Sequence, residues 1–407
     1  MLKCGLLGRK LGHSYSPQIH SMLADYEYLL YEKEPEELED FLRNGEFDGL
    51  NVTIPYKKSV IPYCNELSET AKAIGSVNTL VRRADGTLYG DNTDAFGFES
   101  LVKKCGATVE GRKALVLGNG GASVTVCAVL KKLGAGEVVV ISRKGEDNYD
   151  NIAKHSDAEI IVNTTPVGMY PNNGEKLVDL TMFKSCTAVL DVVYNPERTA
   201  LLLQAEELGI AHANGLYMLV AQAKRSSEQF ADITIADGEI ARIEKVLRGQ
   251  MRNIVIVGMP GSGKTTVSNE LGEKLGREVI DTDSEIVARA GMSIPEIFEK
   301  FGEEHFRALE TQVLADAGKL SGRIISTGGG CVTREENYPL VHQNGTVLWI
   351  KRDSDRLARD GRPISLKSDL NELYEKRRAS YERFADIIAD NNGGIDETVS
   401  QIMEALK

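Results

Sequence analysis

Short apolar runs typical of buried strands alternate with segments of helical spacing along nearly the whole chain. The strand-like runs are rich in Val, Ile and Leu and are bounded by Gly, Asn or charged residues: LKCGLLG, DGLNVTI, RKALVLG, EVVVIS, AEIIVNTT and AVLDVVY. Apolar positions three or four residues apart predict helices over residues 17–30, 67–74, 123–133 and 197–208. Continuously apolar strands separated by helices are typical of parallel sheets covered on both faces, so we predict an α/β fold.

The chain has 407 residues, enough for two or three domains at about 150 residues each. In the first half, the pattern breaks near residues 95–110. Further on, a helical segment ends at Arg248-Gly249, and the strand-like run NIVIVG begins at once. We therefore predict three domains, formed by residues 1–95, 96–248 and 251–407. The prediction allows the last helices of the second domain to pack back on the first.

Charge and composition exclude several classes of function. The formal net charge of −12 repels a phosphate backbone, so we expect no binding to nucleic acid. Six cysteines without a CxxC pair indicate thiols in a reducing compartment. No run approaches the ~18 apolar residues of a membrane helix, and the first residues lack the apolar core of a secretory signal. We expect a cytoplasmic protein that acts on small molecules, and the sequence leaves a homo-oligomer open.

The octapeptide GMPGSGKT, residues 258–265, fits the pattern G-x-x-x-x-G-K-[ST] at every position. It follows a buried-looking strand and opens a helix, which is the context of a phosphate-binding loop. Its glycines let backbone N–H groups wrap phosphate oxygens, Lys264 neutralises phosphate charge, and the Thr265 hydroxyl can ligate Mg²⁺. We predict that this loop binds a nucleoside triphosphate through Gly258, Gly261, Ser262, Gly263, Lys264, Thr265 and Thr266.

Four further motifs follow the loop: Asp281-Thr282-Asp283, FRALE at 306–310, STGGG at 326–330 and RDGRP at 359–363. The two carboxylates can serve Mg²⁺ and a substrate hydroxyl, and the glycines permit a close approach to a small ligand. Each motif alone has a plainer interpretation, such as a helix cap or, for Arg307, a surface ion pair. Their order behind a phosphate-binding loop favours a kinase that acts on a small molecule.

With these motifs, residues 252 to about 400 resemble shikimate kinase. The resemblance implies that Lys264 and Asp283 are catalytic, with Asp283 as the base toward the 3-hydroxyl. It implies that Arg362 enters from a lid, that Arg359 contacts the nucleotide and that Asp281 and Thr265 serve Mg²⁺. The implied shikimate-binding residues are Arg307, Gly329, Gly330 and Arg377. Because the stretch EKRRASYE carries adjacent arginines, Arg378 is an alternative to Arg377.

A second glycine cluster, GNGGAS at 118–123, lies between the strand 114–117 and a helix. In a βαβ unit it would hold a pyrophosphate at the helix N-terminus, although a plain strand-to-helix turn has the same pattern. The next strand ends in Ser142-Arg143-Lys144, where an NAD site usually carries Asp or Glu. Two cations favour the 2′-phosphate of NADP, and a solvated basic turn is the alternative.

Polar residues cluster near strand ends in the first 95 residues. Ser14 and Ser16 offer two hydroxyls suited to a carboxylate, and Asn78 offers an amide. Lys57 and Asp94, if they meet, form a proton-transfer couple beside a ligand with several hydroxyls. Each of these residues could instead be a cap or a surface charge. Reduction of a ketone needs such a proton donor while hydride arrives from a nicotinamide.

This constellation resembles shikimate dehydrogenase over residues 1 to about 240, through the motifs HSYSP, NVTIPYK, GSVNTL, GDNTDAFGF, GNGGAS, NTTPVGM, VYNPERT and GLYMLVAQA. The resemblance implies that Lys57 and Asp94 are the catalytic pair and that Ser16 favours shikimate over quinate. The implied substrate-binding residues are Ser14, Ser16, Thr53, Asn78, Tyr194 and Gln222. The implied cofactor-binding residues are Gly118, Gly120, Gly121, Ala122, Ser142, Arg143, Lys144, Gly215 and Met218.

The two resemblances imply consecutive reactions of the shikimate pathway: NADPH-dependent reduction of 3-dehydroshikimate, then ATP- and Mg²⁺-dependent phosphorylation of shikimate. They imply an α/β substrate domain, a Rossmann NADP-binding domain and a P-loop domain resembling nucleoside-monophosphate kinases, with a parallel sheet. A quinate-preferring dehydrogenase joined to another small-molecule kinase remains an alternative. A binding protein that has lost its chemistry is a second alternative, disfavoured because every implied catalytic position is occupied.

Overall fold

The computed structural model describes residues 1–12, 14–357 and 370–406. The chain forms two compact units. The first comprises Met1–Val167, Lys176–Tyr194 and Gln204–Leu247, and the second comprises Gly168–Glu175, Asn195–Leu203 and Arg248–Lys407. Among the described residues, no helix combines the length and the apolar character that crossing a membrane would require.

The first sheet belongs to the first unit, and its strand order is β2-β1-β3-β5-β6-β4. Its elements are β1 (Lys3–Gly8), α1 (Ser16–Leu23), β2 (Glu27–Glu32), α2 (Leu38–Asn44), β3 (Gly49–Val52), β4 (Glu66–Leu67), α3 (Glu69–Ile74), β5 (Thr79–Arg82) and β6 (Leu88–Asp91). Strand β5 pairs antiparallel with both β3 and β6. The sheet is therefore mixed, and its antiparallel pairs were not expected from a sequence pattern typical of parallel sheets.

The predicted helix over residues 17–30 is wrong at its C-terminal end. Helix α1 ends at Leu23, Ala24 is extended, and β2 begins at Glu27. Strand β2 lies at the sheet edge and pairs with β1, so Leu29 and Leu30 are both exposed. An exposed edge strand does not show the strict alternation that distinguishes a strand from a helix in sequence.

The second sheet of this unit has the order β11-β10-β9-β7-β8, and each neighbouring pair of strands is parallel. The elements of this region are α4 (Thr93–Cys105), β7 (Lys113–Leu117), α5 (Gly121–Lys132), β8 (Glu137–Ile141), β9 (Ile160–Asn163), β10 (Ala188–Asp191), α6 (Ala200–Glu207), β11 (Ala211–Ala213), α7 (Leu216–Ala231) and α8 (Gly238–Met251). Strands β9 and β10 are buried throughout, as the predicted parallel layer requires. Helix α4 approaches α7 closely, because a Cβ at Gly97 would lie 2.7 Å from the Met218 carbonyl oxygen.

In the described part of the second unit, the strands form a sheet of order β13-β14-β12-β15-β16, and each neighbouring pair is parallel. Its elements are β12 (Asn253–Val257), α9 (Lys264–Leu275), β13 (Val279–Asp281), α10 (Thr282–Ala290), α11 (Ile294–Lys319), β14 (Ile324–Ser326), α12 (Asn337–His342), β15 (Gly345–Lys351), α13 (Leu370–Phe384), β16 (Ile387–Asp390) and α14 (Ile395–Ala405). Helix α11 is kinked at Gly302, which has φ 83°. Val255 and Trp349 belong to one buried cluster of this sheet, and Ile256 and Ile350 belong to another.

Two segments from earlier in the chain pack within the second unit. The Glu197 carboxylate accepts two hydrogen bonds from the Arg252 guanidinium, one of them 2.8 Å from Nε. The backbone N–H of Arg198 donates to the Gln343 carbonyl oxygen at 2.8 Å. Burial alone would raise the pKa of Glu197, but the hydrogen bond and charge of Arg252 outweigh it and lower that pKa. This ion pair fixes the segment Asn195–Leu203 onto the unit.

Candidate active sites

The predicted pair Lys57 and Asp94 meets in the first unit. Lys57 follows β3, Asp94 lies in the first turn of α4, and Lys57 Nζ donates to Asp94 Oδ2 at 2.6 Å. Their side chains are 27% and 18% exposed, so the pair is shielded but open to a ligand. An ammonium held by a carboxylate can give a proton to an oxygen atom that gains charge during a reaction.

This ion pair lies in a cavity of 270 Å³ that is lined by both polar and apolar side chains. The cavity gathers every substrate-binding residue predicted for the first half, together with the two residues predicted beside the nicotinamide: Ser14, Ser16, Thr53, Asn78, Tyr194, Gln222, Gly215 and Met218. Gly215 also has a packing role, because a Cβ there would lie 2.1 Å from the Val192 carbonyl oxygen. The close approach of α4 to α7 sets the positions of Asp94, Met218 and Gln222 in this cavity.

The side-chain amide of Asn78 is fixed by a hydrogen bond on the side that faces away from the cavity. The Asn78 Oδ1 atom accepts from the Thr93 backbone N–H at 2.7 Å, so Asn78 offers its Nδ2 group to the cavity. Asn51 also lines the cavity, although the sequence analysis did not select it. Asn51 opens the NVTIPYK motif, which ends at Lys57, and its place in this motif is the sequence feature that could have identified it.

The glycine cluster at 118–123 forms the turn from β7 to α5, as predicted. Gly118 has φ 100°, and a Cβ there would lie 2.6 Å from the Thr165 side chain, which explains the glycine. A Cβ at Gly120 or Gly121 would meet nothing within 4 Å, and Ala122 follows in the first turn of the helix. The exposed N-terminus of α5 therefore has room for a pyrophosphate.

The predicted 2′-phosphate residues follow β8. Arg143 and Lys144 are exposed, whereas Ser142 is 7% exposed and its backbone N–H donates to the Asp147 carbonyl oxygen. Strands β7 and β8 pair in parallel, so both cations stand at the same sheet edge as the glycine turn. The cations and the helix N-terminus together fit a phosphorylated dinucleotide.

In the second unit, the predicted phosphate-binding loop joins β12 to α9. Gly258, Gly261 and Gly263 have φ values of 154°, 85° and 91°, which favour glycine. Lys264 Nζ donates to the carbonyl oxygens of Gly258 and Met259 at 3.0 Å each. Ser262, within the loop, is fully buried. Thr265 and Thr266 are exposed in the first turn of the helix.

The site predicted for Mg²⁺ brings together a hydroxyl and a carboxylate. Thr265 Oγ1 donates to Asp281 Oδ2 at 3.3 Å, and Asp281 Oδ1 caps helix α10 by accepting from the Ser284 N–H. Oxygen ligands of this kind suit Mg²⁺, which binds few protein groups where phosphates and water complete its shell. The residues therefore fit the ion.

A cavity of 380 Å³ adjoins the loop, and it contains the predicted shikimate residues Asp283, Arg307, Gly329, Gly330 and Arg377. The two arginines are 5% and 6% exposed, and Arg377 Nη1 donates to the Gly329 carbonyl oxygen at 3.0 Å. Arg378 instead points to solvent and pairs with Glu382 at 2.9 Å. The geometry favours Arg377 over Arg378 as a ligand-binding residue. The predicted Arg359 and Arg362 lie outside the described residues.

Glu310 is a further cavity residue that the sequence analysis did not assign. It is fully buried, its Oε2 atom accepts from Arg307 Nη1 at 2.8 Å, and burial raises its pKa, with the Asp283 charge adding to the effect. A Cβ at Gly328 would lie 2.7 Å from Glu310 Oε1 and 2.8 Å from Asp283 Oδ1, so the glycine admits both carboxylates. In the sequence FRALE, Glu310 follows Arg307 by three residues, which places both side chains on one face of a helix, and this spacing could have identified the pair.

Comparison with known proteins assigns both units. Residues 6–80 match the family described as the shikimate dehydrogenase substrate binding domain, and residues 260–407 match the family described as shikimate kinase. The shikimate dehydrogenase (NADP(+)) of Halothermothrix orenii is 37% identical over 258 residues, covering 54% of this chain and 87% of that relative. The chain belongs to the shikimate dehydrogenase family.

Solved structures agree with this assignment. A chorismate mutase/shikimate 5-dehydrogenase fusion protein from Clostridium acetobutylicum has a TM-score of 0.58 and 37% identity, covering 60% of this chain and 97% of that one. Shikimate 5-dehydrogenase from Listeria monocytogenes, solved with shikimate and NAD, has a TM-score of 0.54 and 30% identity, covering 60% and 96%. The predicted family resemblances, fold class and enzyme classes are confirmed: this is a bifunctional shikimate-pathway enzyme, an NADP-dependent shikimate dehydrogenase with an ATP-dependent shikimate kinase domain.

Replacement of Lys57 tests the dehydrogenase site. Lys57→Ala removes the ammonium that Asp94 holds, so we expect the dehydrogenase kcat to fall by about 10²–10⁴-fold while kinase activity is unchanged. The exposed neighbour provides the control, and Lys58→Ala should retain both activities within about twofold. A loss of less than about tenfold for Lys57→Ala would contradict a proton-transfer role.

Replacement of the adjacent arginines tests the kinase site. Arg377→Ala removes a buried cation, so we expect the kinase KM for shikimate to rise by about 10–100-fold. Arg378→Ala breaks an exposed ion pair and should change that KM by less than about threefold. The kinase kcat at saturating shikimate and the thermal unfolding of each variant report whether its kinase domain is folded. The reverse order of effects would assign the role to Arg378.

Proposed function

We propose that the dehydrogenase reduces 3-dehydroshikimate to shikimate with NADPH and that the kinase phosphorylates the 3-hydroxyl of shikimate with ATP. The observation that supports this proposal is that each unit holds a cavity lined by a carboxylate and cations together: Asp94 with Lys57 in the first unit, and Asp283 with Arg307 and Arg377 in the second. Both would bind a compact, hydroxylated carboxylate. In this proposal residues 1–95 bind shikimate, residues 96–248 bind NADP, and residues 251–407 form the kinase.

In the dehydrogenase, bound NADPH would supply the hydride. Lys57 holds a proton at Nζ and gives it to the carbonyl oxygen of the substrate as that oxygen becomes a hydroxyl, while Asp94 stabilises the ammonium and fixes its direction. The hydroxyls of Ser14 and Ser16 bind the carboxylate. The ring hydroxyls are bound by Thr53, Asn51, Asn78 and Gln222, with Tyr194 adjacent and Met218 and Gly215 beside the nicotinamide.

In the kinase, Lys264 exchanges its two loop carbonyl partners for phosphate oxygens when ATP binds. Thr265 and Asp281 would hold Mg²⁺, which would neutralise phosphate charge. Arg307 and Arg377 bind the carboxylate of shikimate over Gly329 and Gly330, and Asp283 accepts the proton of the 3-hydroxyl. Phosphoryl transfer requires mainly positioning and charge neutralisation, which these groups provide.

The preference for NADP is assigned to Arg143, with Lys144 beside it. We expect Arg143→Ala to raise the KM for NADP⁺ by about tenfold or more and to leave that for NAD⁺ nearly unchanged, because only the former carries the 2′-phosphate. Lys131→Ala, at another exposed cation of the same region, is the control for lost positive charge. An unchanged ratio of the two KM values would contradict the assignment.

The proposed pair of reactions is tested in one vessel with 3-dehydroshikimate, NADPH, ATP and Mg²⁺. We expect NADPH to be consumed and shikimate 3-phosphate to form, and omission of ATP should stop the sequence at shikimate. Formation of NADP⁺ without a phosphate ester would contradict the proposed kinase acceptor. Absence of NADPH consumption with 3-dehydroshikimate would contradict the proposed reduction.

The same assay separates the two sites. Asp283→Asn removes the proposed base, so phosphorylation should fall by about 10²–10⁴-fold while NADPH consumption continues. Glu285→Gln changes an exposed carboxylate in the same helical turn and should leave both rates within about twofold. Equal loss of both activities in Asp283→Asn would contradict two independent sites.

A further inference from the structure

A buried hydrogen-bond chain lies behind the dehydrogenase cavity. The Tyr28 hydroxyl lies 2.8 Å from Asn51 Oδ1, and Asn51 Nδ2 lies 2.9 Å from Ser226 Oγ. These residues come from β2, β3 and α7. Asn51 is 5% exposed and Ser226 is fully buried, yet Asn51 also lines the cavity. This hydrogen-bond chain therefore includes a side chain, that of Asn51, which a substrate bound in the cavity would contact.

The protons of this chain can be assigned from its ends. Ser226 Oγ donates its proton to the Gln222 carbonyl oxygen at 2.8 Å, so it accepts from Asn51 Nδ2. The amide oxygen of Asn51 must then face Tyr28, and the Tyr28 hydroxyl must donate to it. The two partners thus fix the orientation of the amide, which packing alone would leave open to a flip.

The Tyr28 ring is itself held in place. It stacks on His20 with ring centroids 4.0 Å apart and an angle of 13°, and burial lowers the pKa of His20 to about 3, so both rings are neutral. Burial raises the pKa of Tyr28 well above its usual value, which keeps the hydroxyl protonated as a donor.

We propose that Tyr28 is a positioning residue of the dehydrogenase: its hydroxyl fixes the Asn51 amide, and so sets which hydrogen-bonding group Asn51 offers to a ring hydroxyl of the substrate. Tyr28 does not line the cavity, so it acts through Asn51. The inference rests on the proposed binding of shikimate in this cavity.

The test is Tyr28→Phe, which keeps the ring stacked on His20 and removes the hydroxyl. We expect the KM for shikimate in the dehydrogenase reaction to rise by about three- to tenfold, with kcat and the KM for NADP⁺ within about twofold. The control is Tyr26→Phe, because Tyr26 is a buried tyrosine that hydrogen-bonds with His20 and Ser227 instead of a cavity residue. Equal shikimate affinity in the wild type and Tyr28→Phe would overturn the proposal.

A double-mutant cycle distinguishes positioning from a general loss of structure. In an Asn51→Ala background, Tyr28→Phe should cause no further loss of shikimate affinity, and an additive loss would overturn the proposal. Should Tyr28→Phe fail to fold, Ser226→Ala removes the partner on the other side of the amide and must weaken shikimate binding without changing kcat. A wild-type chain that does not act on shikimate in this cavity would contradict the proposed function itself, which the assay of NADPH consumption with 3-dehydroshikimate detects separately.

Discussion

Parallel pairing of strands is the constraint on which both predicted phosphate-binding sites depend. When strands run in parallel, their carboxyl ends meet at one edge of the sheet, and the following turns and helix N-termini converge there. Gly118 and Arg143 follow the neighbouring strands β7 and β8 at one edge of their sheet, and Gly258 and Asp281 follow β12 and β13, on either side of β14. The phosphate-binding parts of each unit thus follow from strand order.

An acidic chain must hold its anionic ligands with a few local cations, and burial makes those cations effective. Arg307 and Arg377 are almost fully buried, and each has partners before a ligand arrives: Glu310 for the first, the Gly329 carbonyl for the second. A buried cation without partners would be costly. Glu310 therefore stabilises the free site and fixes the direction from which Arg307 meets a carboxylate.

The sequence identified the parts of each site that local chemistry determines. Lys57, Asp94 and Arg377 lie in short sequence motifs, and the structure places them in two cavities, while the two glycine motifs form the predicted strand-to-helix turns. It could not identify what depends on distant contacts. Strand β2 was mistaken for a helix because its partner lies elsewhere in the chain, and the antiparallel pairing of β5 leaves no periodic trace in four residues.

The residues that could not be identified from the sequence were missed for a common physical reason. Asn51, Glu310 and Tyr28 are polar groups whose importance comes from a partner far along the chain or one helical turn away, as with Ser226, 175 residues from Asn51. Their side chains belong to types that serve equally well as caps or surface groups, so residue type alone does not reveal them. A buried polar group must be hydrogen-bonded, and tracing those bonds outward from a cavity identifies such positioning residues where motifs cannot.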